Sequence, residues 1–262
     1  MTSRSAVLAL SVCSLVPLTA SARKPPVAST EELAQITERG RLLYAYDQAA
    51  WHATDAVLGT RPAKGEGGRY IAQQIGGKWV VRFGHLSPTR DAFLLDHVAT
   101  EGAAPDQFTV EALPTPRRDT GFAFIAAKAV DLALQDFQPE KATYNVAVLP
   151  APAGQLYVYL YPAQTQDGIF PLGGDERYIV SADGATIIDK HRMHHSILNF
   201  DTHPPDGSTL SAGFHVHVLS AVPEDSDVFY VLNRRPSLPE LIGVDGKIRY
   251  QINPDGTIVP NK

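Results

Sequence analysis

Cysteine is nearly absent: of 262 residues only Cys13 carries a thiol, and it lies close to the N-terminus. A disulfide framework, a C-x-x-C redox or zinc motif and a cysteine nucleophile in the body of the chain are therefore excluded. Clustered positive charge is absent too. Lys and Arg number 23 against 28 Asp and Glu, the formal net charge is −5, and no Lys/Arg block exceeds two residues. Nucleic acid rewards clustered basic charge, so the sequence gives no nucleic-acid partner. No stretch approaches the roughly 20 apolar residues that a membrane helix needs, so no transmembrane segment is expected. Nor is there a G-x-S-x-G elbow, a P-loop or a G-x-G-x-x-G after a strand, which removes the commonest serine-hydrolase, NTPase and dinucleotide readings.

The N-terminus carries a lone Arg4, an apolar run from Ala6 to Leu18 broken by Pro17, and then Ala20, Ser21 and Ala22. A short apolar run followed by small-x-small is the pattern of a cleavable signal peptide, assigned here to residues 1–22. The mature chain would then be periplasmic or secreted. It would begin near Arg23 and lose Arg4, taking the net charge from −5 to −6. A lipoprotein reading would use Cys13, but Val12 stands where a small residue is wanted. Stability of the remaining body, residues 23–262, must come from its core, as one compact unit or as two lobes, 23–119 and 120–262.

Periodicity predicts an α+β fold, a mostly antiparallel sheet of hairpins with two main helices. Ser29 or Thr30 can cap the first helix, with Glu31 and Glu32 in its first turn, and Gly40 is a candidate break. Thr120 is expected to cap the second, ending near Phe137. About ten strands follow from β-rich runs around turn residues: Gly76-Gly77, PAPAG before Gln155, Asp183-Gly184, Asp245-Gly246 and Asp255-Gly256. Strands are also expected at 92–100, 107–113 and 212–220, and in the run DVFYVLNR.

Two surfaces are candidate binding sites. Tyr44, Asp47, Trp51 and Asp55 lie three or four residues apart and fall within one arc of the first helix. They form either a carboxylate-and-aromatic face of a cleft or an ordinary helix edge. In LYVYLY the side chains of Tyr157, Tyr159 and Tyr161 share one strand face, where tyrosines can stack on ligands or pack across strands.

The third candidate is the stretch from His191 to Asp227, which holds six of the nine histidines and then Glu224, Asp225 and Asp227. Strand alternation places His215 and His217 on one face and Phe214, Val216 and Val218 on the other, the expected core face. An imidazole pair is a common metal ligand set. A third ligand would come from His195, His203, Asp225 or Asp227, with zinc or another divalent metal as the cofactor. The alternative is that these are ordinary histidines bonded to neighbouring acids.

The run HVHVLSAVPEDSD locally resembles the JAMM metallo-isopeptidase motif, in which His-x-His is followed by a serine and an aspartate ligand, with a catalytic glutamate upstream. The resemblance covers some thirteen residues. It departs in lacking a proline after His217 and in placing Val228 at the aspartate position, with Asp227 one residue short. It implies His215, His217 and Asp227 as zinc ligands and Ser226 as a supporting group. Two functions therefore stand at the level of sequence: a non-catalytic binding or envelope-associated module, and a metal-dependent hydrolase.

Overall fold

The structure, a computed structural model, describes residues 28–60, 68–203 and 208–261. The expected signal peptide and most of the lead that follows it, most of the loop at 61–68 and the Pro-Pro-Asp-Gly segment lie outside the described residues. These contain three helices and fourteen strands, an α+β fold.

Helix α1 (Thr30–Thr60) is followed by strands β1 (Arg69–Ile75), β2 (Lys78–Leu86), β3 (Phe93–Glu101) and β4 (Phe108–Asp119), an antiparallel sheet in sequence order. Gly76 and Gly77 both take positive φ between Ile75 and Lys78, so this hairpin closes through the two-residue turn expected of a Gly-Gly pair. Helix α2 (Phe122–Asp136) leads to β5 (Tyr144–Pro150) and β6 (Leu156–Pro162). With β8 (Glu176–Val180) and β9 (Ile187–Arg192) these form a second antiparallel sheet, ordered β5-β6-β8-β9. Strand β7 (Ile169–Gly173) leaves it to pair with β10 (Ile197–Asp201). The last sheet is β11 (Gly213–Val216), β12 (Glu240–Val244), β13 (Lys247–Ile252) and β14 (Ile258–Pro260), and between β11 and β12 lies helix α3 (Asp225–Asn233).

The first two sheets adjoin at β1 and β5 and share both helices. One face of each packs on α1 through Leu43, Tyr46 and Ala53 against Val81, Ala99, Ala147 and Tyr159. The opposite faces pack on α2, whose Ala123, Ala126, Ala127 and Ala133 let it lie close to Ile71, Phe93, Val158 and Tyr178. Both clusters draw on residues from either side of Thr120. A third cluster joins Leu33 and Ile36 of α1 to Leu172, Val228, Val231 and Ile242.

Four local expectations are corrected. Residues 225–233 form a helix rather than a strand. Helix α1 passes through Gly40 without a break, because the missing side chain is where α3 crosses it: a Cβ there would overlap Val228 and come within 2.6 Å of the Asp225 carbonyl oxygen. The N-cap of α2 is Gly121 rather than Thr120, with Asp119 Oδ1 accepting the Gly121 N–H at 2.8 Å. Strand β4 runs on through Pro114 and Pro116 to Asp119, which a proline permits on an edge strand. Ser29 does cap α1, its Oγ accepting the Glu32 N–H at 3.1 Å.

Gly40→Ala is therefore expected to destabilise the protein by about 1–3 kcal/mol by overpacking, although alanine is the better helix former. Urea denaturation reads this directly, and an unchanged midpoint would contradict the close crossing.

Candidate metal centre

Three sequence-distant segments converge at one point. His194 lies two residues beyond β9, His215 lies on β11, His217 one residue past that strand, and Asp227 in the first turn of α3. His194 Nε2 and His215 Nε2 each stand 3.0 Å from Asp227 Oδ1, and His217 Nε2 stands 3.1 Å from Oδ2. His217 Nε2 is also 3.2 Å from His194 Nε2 and 3.0 Å from His215 Nε2. All four ligand atoms lie within 4.8 Å of one another, and all four residues are buried.

The other ring nitrogens fix the imidazole orientation. His194 Nδ1 faces Asp175 Oδ1, His215 Nδ1 faces Glu240 Oε1, and His217 Nδ1 faces the Val222 carbonyl oxygen, each at 2.9 Å. These oxygens accept, so each Nδ1 carries a proton, and in the neutral ring the Nε2 lone pair points inward. This is how protein carboxylates and carbonyls prepare a histidine to ligate a metal. Asp227 Oδ1 is buried and, among the described residues, takes a well-formed hydrogen bond from no group, despite two imidazole nitrogens at 3.0 Å. A cation among the four atoms would supply the missing partner. A tetrahedron with bonds of 2.0–2.1 Å has edges of about 3.3 Å, close to the spacings seen here.

Without a metal, charge fills the same role. Burial opposes a charge on His215, yet Asp227 and Glu240 outweigh it and raise its pKa to about 9. Burial likewise disfavours charged His194, and Asp175 and Asp227 overcome this to hold it well above the usual range. For Asp227 burial alone would raise the pKa; the surrounding imidazoles instead drive it well below the carboxylate range.

The acidic knot that precedes and starts α3 is divided among separate partners. Glu224 is the N-cap and forms a reciprocal capping box with Asp227, whose Oδ2 accepts the Glu224 N–H at 2.7 Å. The Glu224 carboxylate reaches His191 Nε2 at 3.0 Å, and that contact raises the His191 pKa. Asp225, fully buried, pairs with Arg39 at 2.9 Å and with Arg177, and accepts the Tyr159 hydroxyl at 2.9 Å. On the far side Arg234, also fully buried, donates to Glu240 at 2.8 Å. Glu240 thus bridges Arg234 and His215. Gly213, paired with Glu240 across β11 and β12, leaves the room: a Cβ there would overlap the Glu240 carboxylate and sit 2.5 Å from Arg234 Nη1.

Of the residues singled out from sequence, His215, His217 and Asp227 come together. His195 does not: its side chain is exposed and the buried group contains its neighbour His194. Strand alternation continued from His191 through Met193 would put His195 on the same face, but β9 ends at Arg192. Ser226 donates to Met193 Sδ at 3.6 Å. The faces of β11 are the reverse of expectation. His215 and His217 are inside, 4% and 6% exposed, while Phe214, Val216 and Val218 are 58%, 48% and 72% exposed.

The tyrosine ladder faces α1. Tyr159 and Tyr161 are buried, and Tyr161 donates to Asp47 at 2.7 Å; Tyr157 lies under the Arg177 guanidinium. Tyr159→Ala is expected to cost roughly 2–4 kcal/mol, as large-to-small core changes do; an unchanged denaturation midpoint would contradict this packing role. Asp47 and Trp51 border a cavity of about 570 Å³ with Asn145, and burial pushes the Asp47 pKa up. Asp55 stands exposed outside it.

No protein-family model, curated protein or solved structure matches this chain.

Proposed function

We propose that this protein binds one divalent transition metal ion, with zinc the best fit, through His194 Nε2, His215 Nε2, His217 Nε2 and the Asp227 carboxylate. The observation that carries the reading is the common orientation of the three imidazoles. Each has its Nδ1–H directed outward to a fixed acceptor, leaving three lone pairs and one orphaned carboxylate oxygen aimed at a single point. A nitrogen-rich set with one carboxylate suits zinc, iron, cobalt or nickel better than calcium or magnesium.

The site belongs, in this reading, to an exported protein. The leader pattern of residues 1–22 supports export, and mass spectrometry of the mature chain should find its start at or near Arg23. An intact Met1 or a lipidated Cys13 would contradict that part. A metal-dependent hydrolase is the second reading. The local resemblance to the JAMM motif and a cavity of about 300 Å³ bordered by His194 and His215 favour it. The tyrosine ladder as a ligand platform gains no support, since its rings are largely covered by α1 and Arg177.

Elemental analysis of protein purified without a histidine tag, from medium supplemented with zinc, manganese and iron, tests the metal reading. One metal per chain is expected, and none in the His194→Gln, His215→Gln, His217→Gln variant. Absence of stoichiometric metal would defeat the reading. Metal retained by the triple variant would defeat the ligand assignment.

A further inference from the structure

The segment carrying two of the four proposed ligands, β11 and the residues just after it, exposes hydrocarbon and buries imidazole. Single exposed apolar side chains are ordinary, but here Val216, Val218 and Leu219 share the wall of one cavity with Leu198 of β10, and all four are about half exposed or more. The same cavity, about 300 Å³, is bordered by His194 and His215 and not by His217 or Asp227. Two of the four proposed ligand residues, His194 and His215, therefore border an apolar chamber, while Asp227 lies behind them on α3.

We infer that this chamber is a ligand site adjoining the metal: it takes a small molecule whose carbonyl-type oxygen adds a fifth donor to the metal on the His194 and His215 side, and whose branched or aromatic hydrocarbon group lies against Val216, Val218, Leu219 and Leu198. The inference rests on the metal reading above and adds an open coordination position and a ligand class to it. The volume is at the small end of ligand pockets and is about ten times the share of one water molecule in the liquid, so the chamber is not shaped for a lone bound water. Its lining contains no Asp, Glu, Lys or Arg, and its polar side chains are His194, His195, Ser196 and His215. A polar head group thus has the metal as its main electrostatic partner, whereas a hydrocarbon group gains by leaving water along the aliphatic walls. A highly charged or polyhydroxylated ligand would find few partners.

The test uses the full-length protein loaded with cobalt(II), whose visible absorption reports its coordination. It is titrated with acetohydroxamate, 4-methylpentanohydroxamate and phenylacetohydroxamate, which share an oxygen-donor head and differ in hydrocarbon. Each is expected to change the cobalt spectrum, and the two larger compounds are expected to bind at least ten-fold more tightly than the smallest. Val218→Asp and Leu198→Asp change exposed side chains; they should keep the cobalt spectrum and the acetohydroxamate response and lose the preference for the larger compounds. A cobalt spectrum that no hydroxamate alters would overturn the open position while leaving the metal reading standing. Equal affinity for all three compounds, or an undiminished preference in both variants, would overturn the hydrocarbon chamber. Failure to bind cobalt at all would overturn this inference together with the metal reading, and is visible before any hydroxamate is added.

Discussion

Chelating the metal from the loaded protein is expected to lower its melting temperature by about 8–16 °C. A ligand present at a thousand times its dissociation constant stabilises the folded state by about 4 kcal/mol, and each kcal/mol moves the melting point of a chain this size by roughly 2–4 °C. Asp227→Asn should melt at the same temperature whether or not metal is supplied, and at or below the chelated wild-type temperature, because the Asp227 charge also stabilises the metal-free histidines. Asparagine keeps an oxygen that can accept the Glu224 N–H at the start of α3, so the cap survives while the charged ligand is lost. The effect has a pH signature. The metal needs neutral imidazoles, so affinity should rise as pH increases from about 6.5, the unperturbed histidine value, to about 9, the raised value of His215 in the metal-free protein. In the metal-free protein the sign is opposite. Raised histidine pKa values contribute stability that is complete below about 6.5 and lost as pH climbs through 9. Scanning calorimetry with and without chelator across this range would show the two curves diverging. Identical melting at every pH would remove the metal from the account.

Arg234→Ala is expected to cost about 3–5 kcal/mol, because it leaves Glu240 charged, buried and without its guanidinium partner. Arg234 and Glu240 are 0% and 2% exposed, and the same guanidinium also holds the Leu238 carbonyl oxygen at 2.7 Å. The loss should extend to the metal. Glu240 fixes the His215 ring through Nδ1, and partners of that kind typically tune metal affinity by 10–100-fold. Glu240→Gln separates the two roles. Glutamine can still accept the His215 N–H, so metal affinity should fall less than in Glu240→Ala, while the ion pair with Arg234 is lost in both. Chelator competition and chemical denaturation on the same three variants would resolve the contributions. Arg234→Ala with wild-type stability would contradict the buried pair.

The hairpins were legible because two-residue turns with glycine leave a local mark, and both long helices were legible from their spacing and stop signals. Helix α3 was not. Val228, Phe229, Tyr230 and Val231 have strand-type side chains, and what makes them helical is the Glu224–Asp227 capping box together with burial against α1. An acidic residue three positions after another at a chain reversal was the available signal, and it reads equally as a solvated turn. The inversion of β11 has a similar origin. Hydrophobicity alone sends Phe214, Val216 and Val218 inward, whereas Asp227 and Glu240, which hold the imidazoles inside, stand outside the strand in sequence and enter only through the fold. His194 leaves no mark in the sequence because a strand continued past Arg192 would turn His195, not His194, to the face of His191, and the strand ends at Arg192.

X-ray absorption at the zinc edge of the zinc-loaded protein tests the central claim most directly. Three imidazole nitrogens at about 2.0–2.1 Å and a carboxylate oxygen at about 2.0–2.2 Å are predicted, with one imidazole fewer in His194→Gln. A shell dominated by water oxygens, or one unchanged by His194→Gln, would contradict it.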